Sequence, residues 1–162
     1  MPDQTDAIEL LLRDHRRIRQ LAEQLDATDD PGETRAVYLQ IVEQLAAHEL
    51  AEQQVVFPAF RAVLEDAELT LAHRMGEHEE LNELLAEMRG LAPDGFAFMK
   101  RGSAFLLEIE EHFRREEEEV FARMQGAFNA AELSALAEQV IAAKRHAPAF
   151  PDEHPRMTAG SS

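Results

Sequence analysis

A histidine and a glutamate four residues apart occur twice in helical, apolar-patterned surroundings: His48 and Glu52 in HELAEQQVVF, and His112 and Glu116 in HFRREEEEVF. An α-helix turns about 100° per residue, so side chains four apart point the same way. In the first segment Val37, Ile41, Leu45, His48, Glu52, Val55 and Ala59 form one stripe at three- and four-residue steps. Phe98, Phe105, Ile109, His112, Glu116 and Val120 repeat the pattern in the second. Such a stripe is the face a helix buries, so both ionisable pairs are directed into a core. His15 falls between Leu11 or Leu12 and Ile18, and His78 between Leu71, Met75 and Leu81. Four helical segments therefore each carry a histidine on the apolar face.

The spacing exposes an internal duplication. His15 and His48 are 33 residues apart, and His78 and His112 are 34 apart. Asp14-His15 with Ile18 and Leu21 lines up with Glu77-His78, Leu81 and Leu84 at the same offsets. Two such hairpins related by an approximate twofold axis bring four histidines and two carboxylates to one centre, the geometry of a two-metal site.

Strand signals are nearly absent, and Ala, Leu, Glu, Gln and Arg dominate, so the chain reads as all-α. The first helix is predicted from about Asp6 to Ala27. Asp30-Pro31-Gly32-Glu33 supplies a cap, a first-position proline and a capping-box acid for the second. The second helix should reach Phe57, kink at Pro58 and extend to about Glu65. A third spans Ala67 to Arg89 with Gly90 as its C′ residue, and a fourth spans Phe96 to Met124. A fifth, shorter helix opens at the capping box Asn129 to Glu132 and runs to about Arg145. Short connections favour an antiparallel up-down-up-down four-helix bundle, with the fifth helix outside it or across one end. Residues 1–146 form one domain in this reading, and the proline-containing residues 147–162 form a flexible tail.

Composition narrows the function. A 162-residue chain with 45% hydrophobic residues can bury one sizeable core. It has no cysteine, hence no thiolate ligand, disulfide or cysteine nucleophile. Its net charge of -16 repels phosphate backbones and anionic lipid, so neither nucleic acid nor membrane is expected as a partner. With no leader pattern and no apolar run of about 18 residues, the expected location is cytoplasmic.

A single histidine in a helix stripe is usually a hydrogen-bonded core residue. Four in a repeat with two glutamates need more, because an unpartnered buried carboxylate costs several kcal/mol against a net domain stability of about 5 to 15 kcal/mol. Cations would satisfy all six groups together. Nitrogen and oxygen donors without sulfur suit iron, manganese, zinc or copper, and two carboxylates able to bridge favour a dinuclear iron or manganese centre. Phe57 and Phe121 read as core packing, and Glu117 and Glu118 as a solvated face.

The order His15, His48-xxx-Glu52, His78, His112-xxx-Glu116 over roughly residues 5–145 resembles the hemerythrin and HHE cation-binding family. That resemblance implies a non-haem centre of two iron ions with a bridging oxo or hydroxo group. Its metal ligands would be His15, His48, Glu52, His78, His112 and Glu116, with Glu52 and Glu116 bridging. The implied function is binding of dioxygen or a related small, peroxide-like ligand for storage, delivery or sensing. The alternatives are a peroxide-removing or oxidation enzyme, and an iron store or metal-dependent regulatory module. Oxygen-carrying hemerythrins have a fifth histidine one turn before the third-helix ligand, and Arg74 stands there; His73 is about 140° away around the helix. Water, or a carboxylate such as Glu49 or Glu108, would take that place. Glu117 restores the carriers' histidine-to-carboxylate spacing, but Glu116 matches Glu52 in the other half.

Overall fold

The computed structural model describes residues 5–147, all of whose regular elements are helical. Helix α1 (Ala7–Ala27) starts where the Asp6 side chain accepts from the Glu9 N–H. Helix α2 (Pro31–Ala51) starts with Pro31 behind Asp30, whose carboxylate accepts from the Glu33 N–H. It runs through a π-helical turn, Glu52–Val56, into α3 (Phe57–Val63). After a tight connection containing left-handed Asp66, α4 (Ala67–Arg89) returns beside it. Helix α5 (Phe96–Glu116) passes through a second π turn, Glu117–Phe121, into α6 (Ala122–Ala127). Asn129 and Glu132 make a reciprocal capping box for α7 (Ala130–Lys144). The expected tail over 147–162 lies, apart from Ala147, outside the described residues.

Helix α1 packs on α2 and α5, α3 on α4, and α4 on α5, which closes a four-helix bundle; α7 lies across α1, α2 and the first π turn. The chain thus has the expected all-α bundle with an added C-terminal helix. Where the sequence suggested a kink at Pro58, the structure has a widened turn just before it. Proline is not the cause, because the second π turn occurs at the equivalent place in the other half with no proline. The first wide turn begins on the glutamate of its His-xxx-Glu, and the second directly after it. A π turn adds a residue to the helical circuit and re-aims the side chains around it, a device common at functional sites. Gly90 closes α4 without adopting a left-handed conformation.

The apolar core falls into two clusters. One gathers Ile8, Leu11, Val56, Phe57, Phe60 and Phe121 with Leu133, Ala137 and Val140 of α7. The other gathers Ile18, Leu21, Tyr38, Ile41, Leu85, Phe105 and Phe113, where the Tyr38 hydroxyl donates to the Leu85 carbonyl at 2.5 Å. Between them lies a polar layer.

Candidate metal centre

That layer contains the six residues singled out by the duplication. His15, His48, Glu52, His78, His112 and Glu116 are all at most 1% exposed. Their ligand-type atoms form two groups: His15, His48, Glu52 and Glu116, then Glu52, His78, His112 and Glu116, each within 4.8 Å throughout. Both carboxylates are common to the two groups.

The edges of this polyhedron are informative. His15 Nε2 is 3.1 Å from His48 Nε2 and 3.0 Å from Glu116 Oε1; His48 Nε2 is 3.2 Å from Glu52 Oε1. On the other side His78 Nε2 is 3.3 Å from Glu52 Oε1, and His112 Nε2 is 3.4 Å from Glu116 Oε2. Ligand bonds of about 2.1 Å give edges of about 3.0 Å in an octahedron and about 3.4 Å in a tetrahedron. Most of these approaches also fail as hydrogen bonds. Both Glu52 oxygens, Glu116 Oε2, His78 Nε2 and His112 Nε2 are buried without a hydrogen-bond partner. Buried polar atoms are rarely left so, and here their lone pairs converge. The donor set therefore fits cations.

What fixes the imidazoles is the ring of partners behind them, which the sequence reading did not foresee. His48 Nδ1–H donates to Asp14 Oδ2 at 3.0 Å, and His112 Nδ1–H to Glu77 Oε1 at 2.9 Å. His15 Nδ1–H donates to Glu117 Oε2 at 2.6 Å. The Gln53 amide nitrogen lies 3.4 Å from His78 Nδ1, and turning that amide by 180° presents its oxygen as the acceptor. With the proton on Nδ1, each Nε2 keeps its lone pair for the centre. The repeat held the signal: Asp14 and Glu77 precede the first histidine of each half, and Gln53 and Glu117 follow its glutamate. Glu117 is thus neither merely solvated nor one of the converging groups.

These carboxylates are themselves held by cations. Glu117 takes Arg19 at 2.9 Å, Glu77 takes Arg115 at 2.6 Å, and Asp14 takes Lys144 at 2.5 Å. Buried Arg74 pairs with Glu77 through Nε at 2.6 Å and with Glu119 through Nη1, while His73 is exposed. The guanidinium at the fifth-histidine place therefore engages the outer carboxylates, not Glu52 or Glu116. Glu108 is exposed. Glu49 is buried; Asn82 donates to its Oε2 at 3.0 Å and its Oε1 has no partner.

Electrostatics show how strongly the layer attracts positive charge. Burial disfavours a charged His48, but Glu52, Asp14 and Glu116 outweigh it and raise its pKa well above the ordinary value. Burial likewise opposes charge on His78, whose pKa is nevertheless raised to about 10 by Glu49, Glu116 and Glu52. Burial would raise Glu77, but His112 and Arg115 draw it down to about 2. Burial would raise Glu116 too, yet the surrounding imidazoles hold it well below the usual carboxylate range. Glu49 is raised, chiefly by burial. Without a cation, protons on imidazole supply the charge the carboxylates demand.

Aromatic rings close the site. Phe57 stacks on His78 with centroids 5.7 Å apart, Phe121 lies 5.2 Å from His15, and Phe113 stacks on the other side of the layer against His15 at 3.7 Å. Among the described residues no helix is long and apolar enough to cross a membrane.

Comparison with known proteins agrees with this construction. A DNA nickase from Nostoc sp. (strain PCC 7120 / SAG 25.82 / UTEX 2576) is 24% identical over 136 residues, which is 84% of this chain but 38% of that protein. The crystal structure of a hemerythrin HHE cation binding domain-containing protein from Mycobacterium kansasii superposes with a TM-score of 0.76 at 22% identity. That match covers 87% of this chain and 86% of the other, and shows the shared fold. The family model for the hemerythrin HHE cation binding domain matches residues 6–124, which contain all six converging residues, and the chain belongs to that family.

Proposed function

We propose that the protein is a di-iron protein that binds dioxygen or a related small ligand for storage, delivery or sensing. The reading rests on one observation: six buried nitrogen and oxygen donors converge in two groups that share two carboxylates, with several lone pairs left unpartnered. Residues 1–146 are one cation-binding domain in this proposal. His15 and His48 would hold one ion and His78 and His112 the other, with Glu52 and Glu116 serving both.

Two iron ions in such a place supply two one-electron steps to a bound small molecule. The chain supplies the rest. Asp14, Glu77, Glu117 and Gln53 hold the imidazoles in one tautomer and orientation. Phe57, Phe113 and Phe121 exclude water. Glu49, buried with a free oxygen and acting on His78 and His112, is the carboxylate available where the fifth histidine is missing. The nicking activity in the Nostoc relative's name is not carried over, since the shared part is 38% of that protein and a net charge of -16 repels DNA.

The test is anaerobic ferrous loading, elemental analysis, and visible absorption before and after oxygen. Two ions per chain and new visible bands on oxygenation are expected. A single ion, retained unchanged in Glu52→Ala and His112→Ala, defeats the proposal. Rapid peroxide consumption would move the protein to the enzymatic reading.

A further inference from the structure

Three of the four imidazoles lean on a carboxylate that leans in turn on a cation. For His15 the chain is Glu117 then Arg19, and for His112 it is Glu77 then Arg115, with every member inside residues 6–124. The third is built differently. Asp14 receives His48 Nδ1–H on Oδ2, while its Oδ1 receives the ammonium of Lys144, the last residue of α7. Helix α7 lies beyond the part matched by the family model, and it is docked by Leu133, Ala137, Val140 and Ala143.

We infer that Lys144 is a positioning residue of the metal centre, contributed by the added helix. It acts on one ion only, the one held by His15, His48, Glu52 and Glu116. This assignment rests on the metal-centre reading above. Asp14 is 8% exposed, and each of its oxygens has one charged or polar partner. With the ammonium on Oδ1, the carboxylate is pinned with Oδ2 toward His48. Without it, the carboxylate is free to turn to the surface edge that Lys144 occupies, and His48 loses the acceptor that fixes its ring. Outer partners of ligand histidines typically change metal affinity by 10- to 100-fold, and one step further out about tenfold is expected. The ion held by His78 and His112 keeps its own Glu77 and Arg115 and should not change.

The experiment follows loss of ferrous iron to a chelator, under anaerobic conditions, from the full chain loaded with two ions. Lys144→Met and Lys144→Gln should release one ion about tenfold more easily and the other as in the wild type. Lys144→Arg, which restores a cation, should recover most of the difference. Asp14→Ala should weaken the same ion, and adding Lys144→Met to it should change nothing more, since the two act in series. Val140→Ala removes core packing and leaves α7 docked through Leu133, Ala137 and Ala143 with Lys144 on Asp14, so it should lower the melting temperature and leave release unchanged. Release from Lys144→Met and Lys144→Gln that matches wild type, additive Asp14 and Lys144 effects, or the same weakening in Val140→Ala would each overturn the assignment. A wild type that takes up no iron defeats the metal-centre reading itself, which separates the two failures.

Discussion

His15 and His78 occupy equivalent places in the two hairpins, yet Phe113 stacks on His15 at 3.7 Å while the buried carboxylate of Glu49 acts on His78. Phe113 and Glu49 are themselves equivalents, each following the histidine of a His-xxx-Glu. A second difference lies behind the rings: charged Glu117 supports His15, and the neutral amide of Gln53 supports His78. Toward the centre, the halves match. The duplication has kept the groups that converge and varied those that close each half, so one half is apolar and anion-supported while the other keeps a buried carboxylate.

The largest effect separates what is shared from what is private. Glu116→Ala should abolish binding of both ions, whereas His78→Ala should spare the ion on the His15 side. A ligand present at about 1,000 times its dissociation constant stabilises by about 4 kcal/mol, roughly 10 °C in a chain of this size. Loaded wild type should therefore melt about that much above its chelated form, and Glu116→Ala should show no difference. Differential scanning calorimetry with metal analysis checks both. Retention of one ion in Glu116→Ala would mean that the carboxylate is not shared.

The next effect is one of pH. In the metal-free protein, raised imidazole pKa values stabilise fully below the unfolded value of about 6.5. That stabilisation is lost as pH rises through the folded values, about 10 for His78. Glu77, held near 2, contributes the reverse: its stabilisation is present above about 4.5 and lost as pH falls through about 2. Metal-free protein should thus be most stable near pH 5 to 6.5 and weaken above it, by roughly this linkage. Metals displace those protons, so the melting gap between loaded and metal-free protein should widen from pH 6 to pH 9. A gap that narrows would show that the imidazoles do not carry the protons.

How much of this was legible in the sequence differs between the layers of the site. Fold class, helix order and the six converging residues follow from periodicity, because burial and repeat spacing are both written along a helix. The π turns were not legible: a kink was expected at Pro58, but the widening recurs after Glu116 where no proline exists. Backbone hydrogen bonds, not residue types, define it. Nor were the roles of Asp14, Glu77, Gln53 and Glu117, since a side chain's partner lies on another helix and sequence alone gives only the offset. Lys144 was further out of reach, being 130 residues from Asp14.

Glu49→Leu gives that half an apolar residue where the other has Phe113. It should act in opposite directions on the two forms of the protein. Removing a buried carboxylate with an unpartnered oxygen should stabilise the metal-free chain by about 1 kcal/mol or more, even though Asn82 loses an acceptor. If Glu49 supplies the missing ligand, the ion held by His78 and His112 should bind at least about tenfold more weakly. Denaturant melts of metal-free protein and ferrous titrations read the two separately. Unchanged affinity for both ions would remove Glu49 from the site.

The smallest effect comes from erasing the remaining difference between the halves. Gln53→Glu places a carboxylate behind His78, as Glu117 stands behind His15, and an anionic acceptor makes an imidazole a stronger donor than an amide does. The ion on that side should bind a few-fold more tightly, less than the roughly 10- to 100-fold that loss of a partner costs, because the change is one of charge. Glu117→Gln should weaken the opposite ion, since it removes the anion behind His15 and the pairing with Arg19 at 2.9 Å, while Arg19 keeps Glu110. Chelator-driven iron release reads both ions as two kinetic phases. The carboxylate reading requires the slower or faster phase to move only on the mutated side in each variant. If Gln53→Glu shifts both phases together, the charge is felt through Glu52 and Glu116, and the two halves are electrostatically one site despite their separate supports.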